Sequence, residues 1–97
     1  MELDSKVART VPDAFTDIRA ERTRQDAQWG GPAHDDTHIE WDWFEYIGSQ
    51  IQKANRDRWA IGESSPRERL VKIAALAVAG IESIDRIAAV NAAEDAR

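Results

Sequence analysis

Apolar residues recur at spacings of three and four in three segments, and polar connectors separate them. Period-two alternation of β-branched residues is missing, and Ala, Glu, Arg and Gln dominate, so the pattern predicts helices and no strand. The first predicted helix runs from about Pro12 to Gln28, with Thr10 as its cap and proline in an early position where a missing N–H costs nothing. Phe15, Ile18, Arg22, Gln25 and Trp29 share one face of it, which begins apolar and turns polar. Gly30, Gly31 and Pro32 end that helix. The second predicted helix spans about Ile39 to Arg58, with Phe44, Ile47, Ile51 and Ala54 as its apolar stripe. Its acidic start (Asp35, Asp36, Glu40, Asp42, Glu45) and basic end (Lys53, Arg56, Arg58) match the helix dipole. A turn over Gly62 to Ser65 follows.

The third segment has the clearest pattern. Ser65-Pro66-Arg67-Glu68 is a capping box with proline at the first helical position, and the helix is predicted to reach about Ala92. Leu70, Ile73, Ala74, Ala77, Val78, Ile81 and Ile84 form its stripe, and Val71, Ala75, Leu76 and Ala79 carry apolar character around most of the rod. Such a helix needs several neighbours. At 1.5 Å per residue it is about 40 Å long, and two shorter helices cover only part of it. The expected architecture is therefore all-α: a three-helix protomer with a long central C-terminal helix, completed as a four-helix-type bundle in a homodimer. Residues 1–10 read as a flexible N-terminus, 11–92 as a single domain and 93–97 as a frayed end.

Composition narrows the chemistry. The chain has 97 residues, enough for one small core, with 42% hydrophobic and 32% charged residues. It has no cysteine, which excludes a disulfide framework, a zinc–thiolate site and a cysteine nucleophile. A net charge of −5 argues against a broad phosphate-binding surface, so nucleic acid is not an expected partner. Met1 to Thr10 is polar with no signal core, and the longest apolar run, Ile73 to Ile81, is far short of the ~20 residues that span a bilayer. A cytoplasmic location and no membrane partner are the expectation.

Four constellations could carry chemistry. Glu21-Arg22-x-Arg24-Gln25 is either a solvated face with local ion pairs or places Arg22 or Gln25 inward to hold a carboxylate or phosphate. His34-Asp35-Asp36-x-His38 supplies ligand types for zinc, manganese or iron, or else an aspartate caps the second helix while the histidines pack locally. Glu82 and Asp85, at i and i+3, could bind a hard cation or pair with Arg22, Arg24 or Arg86; if buried, they require a partner. Four tryptophans fall between residues 29 and 59. Trp29, Trp41 and Trp43 either form a stacking wall for a base or anchor a core.

The order Glu21-Arg22-x-Arg24-Gln25, Trp29-Gly30-Gly31, His34-Asp35-Asp36-x-His38, a tryptophan-led helix, then Arg69 to Ala79 and Ile81 to Arg86 resembles small phage and prophage proteins related to the MazG-like, all-α nucleoside triphosphate pyrophosphohydrolases. The likeness covers about residues 15 to 87. The resemblance implies that catalytic relatives hold Mg²⁺ with an E-E-x-x-E motif on one helix and E-x-x-D on the next, the metal orienting water and offsetting charge on the triphosphate. Aligned to those motifs, this chain has Ser49, Gln50 and Lys53, then Arg69 and Lys72. A cation there would lose its anionic ligands and face repulsion at short range. The resemblance therefore implies a domain that binds a nucleotide or a host protein without hydrolysis, in an accessory or anti-defence role, needing no cofactor. Arg22, Arg24, Gln25, Trp29 and Lys72 are its candidate ligand-binding residues. The alternative is an active pyrophosphohydrolase with a relocated Mg²⁺ or Mn²⁺ site. Glu21, Glu82 and Asp85 would then be catalytic, with His34 or His38 shuttling protons.

Overall fold

The computed structural model describes residues 11–58 and 65–97, and among these the only regular structure is helix, with no strand. Helix α1 is Ala14–Trp29, α2 is Gly31–Asp35, α3 is Asp42–Asp57 and α4 is Pro66–Asp95. Asp13 caps α1, its carboxylate accepting from the Phe15 amide at 3.0 Å and the Thr16 hydroxyl at 2.8 Å. Pro12 thus lies just ahead of the cap, and the expected cap Thr10 falls outside the described residues. The N-terminal segment 1–10, Trp59 and the Gly62–Ser64 part of the expected turn lie outside them too.

Gly30 ends α1 in the left-handed region, φ 109°, and its amide reaches the Asp26 carbonyl at 2.9 Å. Gly31 follows at φ 71°. Two left-handed residues in succession reverse the chain at little cost only when both are glycine. Pro32 then stands in the first turn of α2. The segment read as a polar connector thus contains a fourth, short helix.

Aspartate capping of the next helix is not what forms. Helix α3 begins at Asp42, three residues later than expected, and its N-cap is Trp41, which makes no side-chain capping bond. Asp36 is instead drawn to α4. Arg86 holds its carboxylate at 2.8–3.2 Å, and the Ser83 hydroxyl donates to it at 2.8 Å. A charge-assisted, two-pronged guanidinium contact outcompetes a single capping bond. The α2 segment is thereby tied to the middle of α4. The capping box at Ser65 forms as expected, with the Glu68 amide donating to the hydroxyl at 3.1 Å, and α4 continues to Asp95, past the expected end at Ala92.

Helix α4 is the central rod, about 45 Å long. The pairs Asp17–Arg67 and Arg22–Glu82, both 2.7 Å, advance together along α1 and α4, so these helices run parallel. Trp43 against Gly80 and Gln50 against Arg69 set α3 antiparallel. Helices α1 and α3 both pack on α4 and not on each other. The buried residues of α4 are mostly small: Ala75, Ala79, Gly80 and Ser83. Small side chains let α3 approach closely enough to bury Trp43.

Much of the expected apolar core is uncovered in this single chain. Phe44 and Ile51 of α3, and Leu70 and Ile81 of α4, are exposed, Leu70 by 65% and Phe44 by 64%. The reason is geometric: two helices flank a rod whose apolar character extends nearly all round. No helix among the described residues is long and apolar enough to cross a membrane.

Candidate functional site

Because α1 and α3 stand apart on α4, a cleft of about 630 Å³ opens between them. Two stripes of equal spacing build it. On α3 these are Trp43, Tyr46, Gln50 and Lys53; on α4 they are Arg69, Lys72, Leu76 and Ala79. Steps of three and four place each set on one helix face. Arg24, Gln25 and Trp29 close the cleft from α1, and Ser49 adds a hydroxyl from α3.

One end is cationic. Arg69, almost fully buried, donates to Gln50 at 2.7 Å and to Asp57 at 2.6 Å. Arg24 is bound by the Glu21 carboxylate and reaches Gln28 at 3.0 Å. The Arg24 hydrogen bond chiefly holds the Glu21 carboxyl below its usual range, against the opposing effect of burial, and Glu21 in turn raises the Arg24 guanidinium. Lys53 and Lys72 line the same space and make no ion pair with a described carboxylate. Their ammonium groups are the charges left to meet an anion.

The other end is aromatic. His38 is its hub, edge-on to His34 at 4.9 Å, to Tyr46 at 5.2 Å and to Trp43 at 5.5 Å between ring centroids. The Tyr46 hydroxyl lies 3.5 Å from His38 Nδ1. Trp29 faces this cluster from α1, with more than half its surface exposed. Asp26 and Asp35 also line the cleft. Burial, then the neighbouring Asp26 charge, pushes the Asp35 carboxyl above its usual range, while Arg22, Arg86 and His34 oppose the shift.

The structure therefore brings together Arg24, Gln25, Trp29, Lys72, His34, Asp35 and His38. It sets the other candidates apart. Arg22 turns inward, as one reading of its motif expects, but its partner is Glu82 and it does not line the cleft; one of its terminal nitrogens, Nη1, is buried without a hydrogen bond. Glu21 opens on a shallower groove beside Asp17 and Arg67. Glu82, its side chain half exposed, pairs with Arg22 at 2.7 Å, one of the pairings its motif allows, whereas Asp85 is exposed and makes no ion pair with a described residue. Asp36 is occupied by Arg86. Among the described residues no three His, Asp or Glu side chains form a group able to hold a metal ion.

The tryptophans divide. Trp43 is buried and borders the cleft, whereas Trp41 lies 70% exposed on the outer face against Phe44, with ring centroids 5.5 Å apart. Tyr46 was not among the sequence candidates. The signal for it is present: residues 43, 46, 50 and 53 form an aromatic-to-cationic stripe about 100° round the helix from the apolar stripe at 44, 47, 51 and 54. Ser49, Gln50, Lys53, Arg69 and Lys72 all line this one cleft. Compared with known protein families, characterised proteins and solved structures, the chain shows no significant match to any of them.

Proposed function

We propose that this chain is a MazG-like, phage-type module that binds a nucleotide in the cleft between α1 and α3 without hydrolysing it. The observation that carries the reading is the convergence of Ser49, Gln50, Lys53, Arg69 and Lys72 on one cleft, with no carboxylate among them. A phosphate chain meets the ammonium groups of Lys53 and Lys72, each a compact point charge with several donors. The base meets the aromatic end, where Trp29 offers an exposed face. Binding by positive side chains replaces the metal bridge of a hydrolase, so the group that would orient attacking water is missing from this arrangement.

The working unit in this reading is a homodimer in the cytoplasm, in an accessory or anti-defence role. Its support is the uncovered apolar surface on α3 and α4, including Phe44, Leu70 and Ile81, which a second copy would cover. The test is incubation of the purified chain with a panel of nucleoside and deoxynucleoside triphosphates, with Mg²⁺ or Mn²⁺. The expected result is unchanged nucleotide and no pyrophosphate above the blank. Pyrophosphate release that scales with protein concentration overturns the reading.

A further inference from the structure

The two ends of the cleft differ in more than charge. Asp35 lies beside Ser83, whose hydroxyl donates to its backbone carbonyl at 3.3 Å. Lys72 is eleven residues earlier on α4, about 16 Å along the helix axis. A ligand that fills the cleft lengthwise therefore meets ammonium groups at one end and a carboxylate at the other. That carboxylate is unusual. Asp35 is only 8% exposed, yet its side chain accepts no hydrogen bond from a described residue. The nearby cations are committed elsewhere, Arg22 to Glu82 and Arg86 to Asp36. Its oxygens are not among the fully enclosed polar atoms, so the little surface Asp35 keeps lies where it lines the cleft, and a carboxylate there can accept hydrogen bonds from a ligand.

Resting on the nucleotide reading above, we infer that Asp35 makes the cleft selective for guanine nucleotides. An ionised carboxylate only accepts hydrogen bonds, and it accepts two side by side. Guanine alone among the common bases presents two adjacent donors, N1–H and the 2-amino group. Adenine and cytosine place a ring acceptor beside their amino group. Uracil and thymine flank their single N–H with two carbonyl oxygens. Each of these sets a lone pair against the carboxylate, which rejects it more strongly than a missing contact does. The aromatic rings of Trp29, His34 and His38 near Asp35 supply the faces on which the base stacks.

The test is equilibrium binding of the full chain at pH 7 to GTP, ITP, ATP, CTP, UTP and inorganic triphosphate, for the wild type and Asp35→Asn. Wild type is expected to prefer GTP over ATP by about tenfold or more, the discrimination typical of one two-pronged contact to a base. ITP, which lacks the 2-amino group, falls between them. Asp35→Asn brings GTP and ATP within about twofold and leaves inorganic triphosphate binding unchanged, which also shows that the variant is folded. Equal GTP and ATP affinities in the wild type, or a preference that survives Asp35→Asn, overturn the inference while leaving the nucleotide reading intact. If neither nucleotide nor inorganic triphosphate binds, both fall together.

Discussion

The indole of Trp43 packs directly on the backbone of Gly80: a methyl group at position 80 would stand 2.9 Å from its Cγ and 3.0 Å from its Cδ2. This contact locks α3 to α4 and sets the depth of the cleft that Trp43 borders. Gly80→Ala gains about 1 kcal/mol of helix propensity and loses roughly 1–3 kcal/mol to overpacking against a bulky ring. The net expectation is a destabilisation of about 1 kcal/mol, read from urea unfolding. In the Trp43→Ala background the same substitution becomes stabilising, because the ring atoms at 2.9 and 3.0 Å are gone and only Cβ, at 3.3 Å, remains. A stabilising Gly80→Ala in the wild type would show that the two helices can separate freely.

Helix α4 starts at a cap built from a single side chain. Ser65→Ala leaves the Glu68 amide without its 3.1 Å acceptor and is expected to cost about 1 kcal/mol. Thermal unfolding by circular dichroism measures it. No change would mean that the first turn of α4 frays in the native protein.

The adjacent aspartates of α2 and its C-cap respond oppositely to acid. Hydrogen bonds from Arg86 and then Ser83 hold Asp36 below its ordinary value, so its contribution is present above the unfolded pKa near 4 and is lost as the pH falls through the lower, folded one. Burial raises Asp35, so the folded state takes up a proton first, and its cost at neutral pH is relieved as the pH falls from the raised value toward 4. Asp36→Asn is expected to lower Tm at pH 7 and to remove the loss below pH 4. Asp35→Asn is expected to raise Tm at pH 7 and to flatten the acid side above pH 4. Urea titrations between pH 7 and pH 3 check both signs.

The exposed stripe of α4 bears on assembly. Leu70 and Ile81 stand eleven residues apart, three helical turns, and so share a face. If a second copy covers that face, Leu70→Glu or Ile81→Glu weakens the dimer by roughly 2 kcal/mol or more. Sedimentation velocity would show a concentration-dependent dimer for the wild type and a monomer for the variants. A wild-type monomer at micromolar concentration would remove the homodimer from the account.

How far the sequence carried the reading depended on which forces were local. The Ser65 cap, the Gly30 stop and the long apolar rod follow from nearest neighbours and helical period, and the sequence shows all three. Helix α2 did not, because it depends on two glycines with positive φ and on a contact to Ser83 and Arg86 nearly fifty residues away. The stripe of Phe44 and Ile51 reads as core by periodicity, but among the described residues no element covers it. In the cleft, Arg24, Gln25, Trp29 and Lys72 were legible as a group only through resemblance. Tyr46 and Gln50 were legible by spacing, yet a polar stripe on a helix reads first as solvent-facing.

The central claim is that the cleft binds the phosphates of a nucleotide through Lys53 and Lys72. Isothermal titration of GTP into the wild type, Lys72→Ala and the Lys53→Ala/Lys72→Ala pair, at low and moderate salt, tests it directly. Saturable one-site binding that weakens with salt, drops about fivefold or more on Lys72→Ala and further on the double substitution, is the expected result. Absence of heat in the wild type, or an affinity untouched by removing both lysines, would contradict it.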